Sequence, residues 1–396
     1  MKNKMMFLVL SVCIITPFAN DIFIASFPEM GQTFNTSHIG LVMTVFMIGL
    51  ATAQLFYGPL LDRFGRKPVL VTGLVIYTSA SLMIVFSTSF HMLLIGRFFQ
   101  AIGTCSSIVA AMAIARDVYK KEDLVKAMAM IMAIIGICPA IAPLLGSVLQ
   151  ELFGWHGAFM FLLLLGVFYL LVISFLFKES IQQKNMHATK PKQLYDNYLS
   201  LLKIKSFQGY ILTSACSYGV LFSYAAASSM LIIGVFHFSV LAFGIIFAVN
   251  SLAIVIMSIL APKLNKRFSI SQLVLTGAIL LVTGAMLTIL LNIIFTSNIY
   301  TLVLPMWITT LGYAMIRPTA STGAISSAPH HITGSAAALF NFMSFLGGAI
   351  ATFLLTQFTM TSIHFATFVL AIGLLAIICA RHAHKGHSFE LVTAKS

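Results

Sequence analysis

Twelve apolar runs, each about as long as a bilayer is thick, dominate this sequence and leave it few folds to choose from. They lie near residues 6–27, 39–60, 69–87, 92–115, 127–148, 156–177, 209–236, 240–261, 270–294, 300–326, 333–357 and 363–380. A hydrocarbon core of about 30 Å is crossed by ~20 helical residues at a rise of ~1.5 Å each. Lipid offers no partner for a free backbone N–H or C=O, so such runs must be helical. Only 8% of the 396 residues are charged, against roughly 25% in a water-soluble domain. The expected fold class is therefore an all-α polytopic membrane protein with twelve transmembrane helices. Most connections are short, but residues 178–206 are polar and carry six lysines. That segment divides the chain into an N-terminal six-helix half (1–177), a cytoplasmic linker (178–206) and a C-terminal six-helix half (207–396) with a short cytoplasmic tail.

The positions of the basic residues orient the molecule. With the loops assigned alternately to two sides, one side collects 21 lysines and arginines and the other none; the remaining two, Arg97 and Arg317, lie inside spans. Basic loops stay in the cytoplasm, so both termini and the linker are expected there. The net charge of +13 thus reflects membrane orientation, and no nucleic acid is expected as a partner. The start, "MKNKMMFLVLSVCIITPFA", has the basic and apolar regions of a signal peptide. Its apolar run continues to Phe27, however, and losing it would break the charge alternation, so an uncleaved first helix is expected. The five cysteines lie in apolar runs without a CxxC pair and read as small buried hydrophobes, with neither disulfides nor a metal site. "RHAHKGH" (Arg381 to His387) reads as a solvated basic flank.

Short motifs add detail. "GPLLDR" (Gly58 to Arg63) ends span 2, and "APKLNK" (Ala261 to Lys266) ends span 8 at the matching place in the second half, a trace of duplication. "GPLLDRFGRKPVL" (Gly58 to Leu70) resembles the signature loop between helices 2 and 3 of the major facilitator superfamily. "LIGRFFQAIGT" (Leu94 to Thr104) resembles that superfamily's fourth-helix motif, with Ala101 where Gly is usual. "GICPAIAPLLGS" (Gly136 to Ser147) resembles the helix 5 motif of its antiporter branches, with Ser147 in place of a second Gly. "NDIFIASFPEM" (Asn20 to Met30) is similar to the first-helix motif of the twelve-helix drug:proton antiporters. "RDVY" (Arg116 to Tyr119) and "LPMW" (Leu304 to Trp307) resemble the branch that exports bicyclomycin and phenicols.

The resemblance implies two pseudo-symmetric six-helix halves that move by alternating access. It implies a cytoplasmic gate at Gly58, Asp62, Arg63, Gly65, Arg66 and Lys67, in which Asp62 locks the two halves on the inner side in one transport state. Gly65 would let the loop turn tightly. The basic residues of the gate also fit ordinary, water-screened anchors. In helix 5, Gly136, Pro139, Pro143 and Gly146 remove hydrogen bonds and bulk, which suits bending and close packing.

The charges inside the membrane point to the chemistry. Of ten acidic residues only Asp21 lies within a span, and an ionisable group at that depth costs at least about 2.5–3.5 kcal/mol unless it faces a cavity or a partner. Helix 1 runs outward and places Asp21 roughly 10 Å inside the outer edge; helix 4 runs inward and places Arg97 roughly 8 Å below the same edge. The two are expected to meet. Gln100, one turn below Arg97, is positioned to hydrogen-bond a substrate. Arg317 precedes Pro318 in span 10 and falls in the cytoplasmic half. Span 7 carries "SYGVLFSYAAASS" (Ser217 to Ser229), with Tyr218 and Tyr224 as candidate cavity residues. The family's central cavity is lined by helices 1, 4, 7 and 10, so all these residues belong to cavity helices if the resemblance holds. Two roles for Asp21 stay open at this point: a proton carrier tuned by Arg97, or a fixed pair with Arg97 that joins two helices.

Three function classes compete. A membrane-embedded enzyme needs a polar catalytic constellation, and the sequence has no HExxH, no GxSxG and no Walker loop. A receptor would be expected to carry an output domain. A secondary transporter fits best, with no cofactor and the proton gradient as energy source. The expected partners are a small-molecule substrate, protons and the lipid bilayer of a bacterial inner membrane, and the expected state is a monomer. Export of amphipathic drugs of the phenicol and bicyclomycin type is the first reading. Export or import of a metabolite such as a siderophore uses the same scaffold.

Overall fold

The apolar runs become helices, and among the described residues there is no strand. The computed structural model describes residues 11–181, 183–184, 191–295, 298–329, 332–358 and 361–393. The sequence-stretch His330 and His331, the first ten residues and part of the linker lie outside them. Ten of the described helices are long and apolar enough to cross a membrane. The chain divides into two compact units, Met1–Pro191 and Lys192–Ser396, and the division falls within the polar linker.

In the first unit, α1 (Ile15–Asp21) is followed by a 3-10 turn (Ile24–Ser26) and α2 (Phe27–Thr33); then come α3 (Leu41–Phe64), α4 (Arg66–Val85), α5 (Phe90–Val118), α6 (Lys121–Phe153) and α7 (Trp155–Leu176). The first span is therefore broken, where a continuous helix over 6–27 was expected. Pro28 explains the break: it has no N–H, and its ring crowds the carbonyl four residues back, at Ile24. The backbone tightens to a 3-10 turn there and restarts with Pro28 in the first turn of α2. Asp21 is the last residue of α1 and so lies at the break. Helix α6 runs unbroken with Pro139 and Pro143 inside it. Helix α1 packs on α5 and α6, and α4 packs on α5 and α7.

In the second unit, a short helix α8 (Pro191–Leu201) precedes α9 (Lys205–Ser229), which ends in a π-helical turn (Met230–Val235). They are followed by α10 (Val240–Leu264), α11 (Ile270–Ile294), α12 (Tyr300–Ser327), α13 (Thr333–Leu355) and α14 (Ser362–Thr393). Helix α9 packs against α12, α13 and α14, and α11 packs against α12 and α14. Helix α12 spans 28 residues but is not among the ten apolar spans, because its second half, "IRPTASTGAISS", is rich in hydroxyls and carries Arg317.

The third span of each unit begins differently. Helix α11 starts with a local capping box, in which Ser269 and Gln272 satisfy each other's backbone N–H groups. Helix α4 has no such box. Gly65 precedes it at φ 107°, a backbone region that glycine adopts without steric cost. The exposed N–H groups of Arg66 and Lys67 are taken by the carboxylate of Glu179, at 3.0 and 3.1 Å. A Cβ at position 65 would lie 2.5 Å from that same carboxylate.

Candidate functional site

Arg97 is completely buried in α5, and its surroundings are aromatic. The guanidinium carbon lies 4.0 Å from the ring centre of Phe23 and 3.9 Å from that of Phe46, with Phe159 at 5.9 Å. Nη1 donates to the Ala19 carbonyl at 3.0 Å and to Gln100 Oε1 at 2.6 Å. Gln100 in turn donates to Ser81 Oγ at 2.8 Å. Desolvated cation–π contacts contribute about 2 kcal/mol each, and hydrogen bonds to a charged group about 1.5–3 kcal/mol. Both offset part of the cost of placing the charge at this depth. Nε and Nη2 are buried and reach no hydrogen-bond acceptor.

Asp21 is also buried, and its carboxylate accepts a hydrogen bond from the side-chain amide of Asn20. The expected meeting of helices 1 and 4 takes place, but through the Ala19 carbonyl, two residues before Asp21. A second link lies below it, where Thr16 Oγ1 donates to the Thr104 carbonyl at 3.0 Å. Gln100 has both ends of its amide engaged, Oε1 by Arg97 and Nε2 by Ser81. The helix 5 motif enters the same region. A Cβ at Gly146 would lie 1.7 Å from the Ile22 carbonyl oxygen, next to Asp21, whereas a Cβ at Gly136 would touch nothing within 4 Å. The backbone at the break in the first span thus rests directly on α6.

At the other end of the unit, the loop motif is wired to residues that sequence reasoning did not single out. Arg66 is not a water-screened anchor but is buried. Its Nη1 pairs with Asp62 at 2.8 Å and its Nε with Asp117 at 2.9 Å. Asp117 also accepts from Ser180 Oγ at 3.0 Å, and Lys67 Nζ donates to the Ser174 carbonyl at 2.9 Å. Arg63 lies over the ring of Phe64, with its guanidinium carbon 5.1 Å from the centre. Gly58 has open space beside it. Burial of Glu179 works against its ionisation, but the N–H groups of Ile181, Arg66, Lys67 and Ser180 outweigh that and hold its carboxyl below the usual range. Asp117 had a signal, since it lies in the quoted "RDVY"; Glu179 had none beyond being an acid in a basic linker.

Glu29 repeats the arrangement on the opposite face of the unit. It accepts from the Gln150 side chain and from the Trp155 N–H, the latter at 3.1 Å. Trp155 opens α7 and follows Gly154, whose φ is 64°. The two re-entry points of the chain, at α4 and α7, are each built from a left-handed glycine and a distant carboxylate on the new helix end.

In the second unit, Arg317 donates to the hydroxyls of Tyr218 on α9 and Tyr313 on its own helix. Its guanidinium carbon lies 5.9 Å from the Tyr218 ring centre. Tyr218 also packs edge-on against Tyr313 and Phe345, at 5.5 and 5.6 Å between centres. Tyr224 does not belong to this group. It stacks on Phe247 at 5.7 Å and lies near Phe365, on another side of α9. Tyr313 was missed, although it sits four residues before Arg317, the spacing that puts two side chains on one helix face. The cysteines are free; Cys216 and Cys379 hydrogen-bond each other across α9 and α14. Among the described residues no three His, Cys, Asp or Glu side chains group as a metal site.

Comparison with known proteins agrees with this architecture. The chain is 29% identical to "Bicyclomycin resistance protein homolog" of Haemophilus influenzae, over 84% of each chain. It is 26% identical to "Multidrug resistance protein D" of Escherichia coli, over 97% of this chain and 98% of the relative. With "Chloramphenicol resistance protein" of Pseudomonas aeruginosa it shares 26% identity over 85% and 80% of the two chains. Among solved structures, its fold is similar to that of a peptide transporter POT in complex with sulfate, with a TM-score of 0.77 and 14% identity, covering 96% of this chain and 93% of that one. The family model described as Major Facilitator Superfamily matches residues 9–352. The chain therefore belongs to the Major Facilitator Superfamily and has its all-helical membrane fold of two six-helix halves.

Proposed function

We propose that this protein exports amphipathic drugs of the phenicol and bicyclomycin type in exchange for protons. It works by alternating access, as a monomer in a bacterial inner membrane with both termini in the cytoplasm. The names of its relatives support the substrate class, and the one-sided distribution of basic residues supports the orientation. The observation that carries the coupling is Arg97, fully buried with Nε and Nη2 lacking acceptors, while the only carboxylate of any span lies two residues beyond its Ala19 contact.

Buried donors without acceptors cost about 1–3 kcal/mol each, so an acceptor that reaches them is favoured strongly. Asp21 is that acceptor when it has lost its proton. When protonated, it needs no cation and stays with Asn20. The aromatic cage keeps Arg97 in place in both conditions, so the proton on Asp21 can change without losing the site. Substrate then competes with the charged carboxylate for the open side of the guanidinium. The break at Asp21 gives the short helix α1 an end that can shift on the Gly146 contact.

The test is Asp21→Asn in proteoliposomes loaded with chloramphenicol. The expected outcome is loss of pH-gradient-driven efflux with drug exchange at equilibrium retained. Gradient-driven efflux at the wild-type rate would refute the carrier role and leave Asp21 as a structural residue.

A further inference from the structure

The second unit holds a positive charge at membrane depth with no negative charge of its own. Its only acids are Asp196, in the short helix that precedes its spans, and Glu390, in the tail; no span from residue 207 onward contains an aspartate or glutamate. Asp21, the one carboxylate within the twelve apolar runs of the sequence, belongs to the other unit, where Asn20 hydrogen-bonds it. Arg317 lies ten residues before the end of α12 at Ser327, about 15 Å along the helix. A guanidinium stays protonated in proteins, so its charge has to be met by something.

The groups that meet it are neutral. Tyr218 and Tyr313 accept hydrogen bonds from Arg317 through their hydroxyl oxygens, and the Tyr218 ring lies near the guanidinium carbon. They orient the cation without neutralising it. A phenol that accepts from a cation becomes a stronger donor through its own O–H. Edge-on packing of Tyr218 against Tyr313 and Phe345 holds its ring in place. The result is a fixed cation with a polarised hydroxyl donor beside it, set in an aromatic wall. A planar fork of N–H donors of this kind matches a carboxylate or a similar oxyanion, and the rings match an apolar body.

We propose that Arg317, oriented by Tyr218 and Tyr313, is the anchor for an anionic group on the transported molecule, so that the preferred substrates are aromatic or amphipathic acids. The inference rests on the drug-export reading and narrows it. It makes Arg317 the residue that sets the charge preference, while Arg97 and Asp21 remain the coupling pair. Neutral drugs with strong acceptor groups, such as a nitro group, bind the same anchor more weakly.

The deciding measurement is binding to the full-length protein in lipid nanodiscs at pH 7.5, with 2-naphthoate and its neutral analogue 2-naphthamide as probes. The two differ little in shape and fully in charge. The expected result is at least about tenfold tighter binding of the acid, the size of one charge-assisted hydrogen bond. Arg317→Gln removes that preference and leaves the amide unchanged, Arg317→Lys keeps part of it, and Tyr218→Phe reduces it. Tyr218→Phe also serves if Arg317→Gln fails to fold. Equal binding of acid and amide, no binding of either, or a preference that survives Arg317→Gln would each overturn the inference. Efflux of chloramphenicol by the wild type is read separately. Naphthoate binding without chloramphenicol efflux refutes the drug-export reading alone, and efflux without an acid preference refutes the inference alone.

Discussion

Replacing Gly146 by alanine tests how the first span is held at its break. The added Cβ would lie 1.7 Å from the Ile22 carbonyl oxygen and 2.7 Å from its carbon. Ordinary C···O contact begins at ~3.3 Å, so α6 and the break must separate by about 1.5 Å. No side chain can turn aside to relieve this, because the opposing atoms are backbone. Overpacking of this kind costs roughly 1–3 kcal/mol, which for a unit of this size lowers the midpoint by about 2–4 °C per kcal/mol. The functional loss should be larger than the stability loss, since Ile22 adjoins Asp21 and follows the Ala19 carbonyl that receives Arg97. The internal control is Gly136→Ala in the same helix, where a Cβ meets nothing within 4 Å. There the better helix propensity of alanine makes the change neutral or stabilising by up to ~1 kcal/mol. The assay pairs thermal melting in detergent with chloramphenicol efflux from proteoliposomes for both variants. Equal behaviour of the two alanines, or a Gly146→Ala protein with wild-type melting and transport, would refute the close-contact argument.

Further substitutions probe the other parts. Glu179→Gln weakens the cap on α4 by about 1 kcal/mol or less, since the carboxylate is exposed and screened. Its native carboxyl titrates below the usual range, so its contribution is complete above ~4.3, the unfolded value, and is lost as pH falls through the native one. Melting curves should therefore keep a constant gap between wild type and Glu179→Gln from pH 7 down to ~4.3 and converge only at more acid pH; a gap that already closes above ~4.3, or that survives in strong acid, would count against the cap. Arg97→Lys keeps the charge but loses the planar fit between Phe23 and Phe46, and tenfold or greater loss of efflux is expected; wild-type rates would show the cage to be irrelevant. Asp62→Asn should leave melting within a degree or two and abolish transport in reconstituted vesicles, and retained transport would dismiss the expectation that Asp62 acts as an inner-side lock.

The span pattern was legible because hydrophobicity over ~20 residues is a long signal, and the placement of Asp21 as the single carboxylate at depth followed from counting. The break beside it was written in Pro28, whose effect falls four residues back rather than at the proline itself. The partnership of spans 1 and 4 was legible from depth, but its atoms were not. A guanidinium has three nitrogens and a long stem, and no spacing tells which nitrogen meets which oxygen. Glu179 was invisible for a different reason. It acts on N–H groups 112 and 113 positions away, and no local spacing encodes such a contact. Tyr313 was readable from its i, i+4 relation to Arg317 once Arg317 was singled out.

The carboxylate that closes the start of α4 comes from residue 179, just beyond Leu176 at the end of α7. During synthesis the third span enters the membrane long before its cap exists. The first unit can lock only when its sixth span has been inserted and the following residues have emerged from the ribosome. The latch closes at that moment, before the spans of the second unit have been inserted. The order of translation and the order of closure therefore coincide, and a nascent chain arrested shortly after the linker should already hold the Glu179 latch.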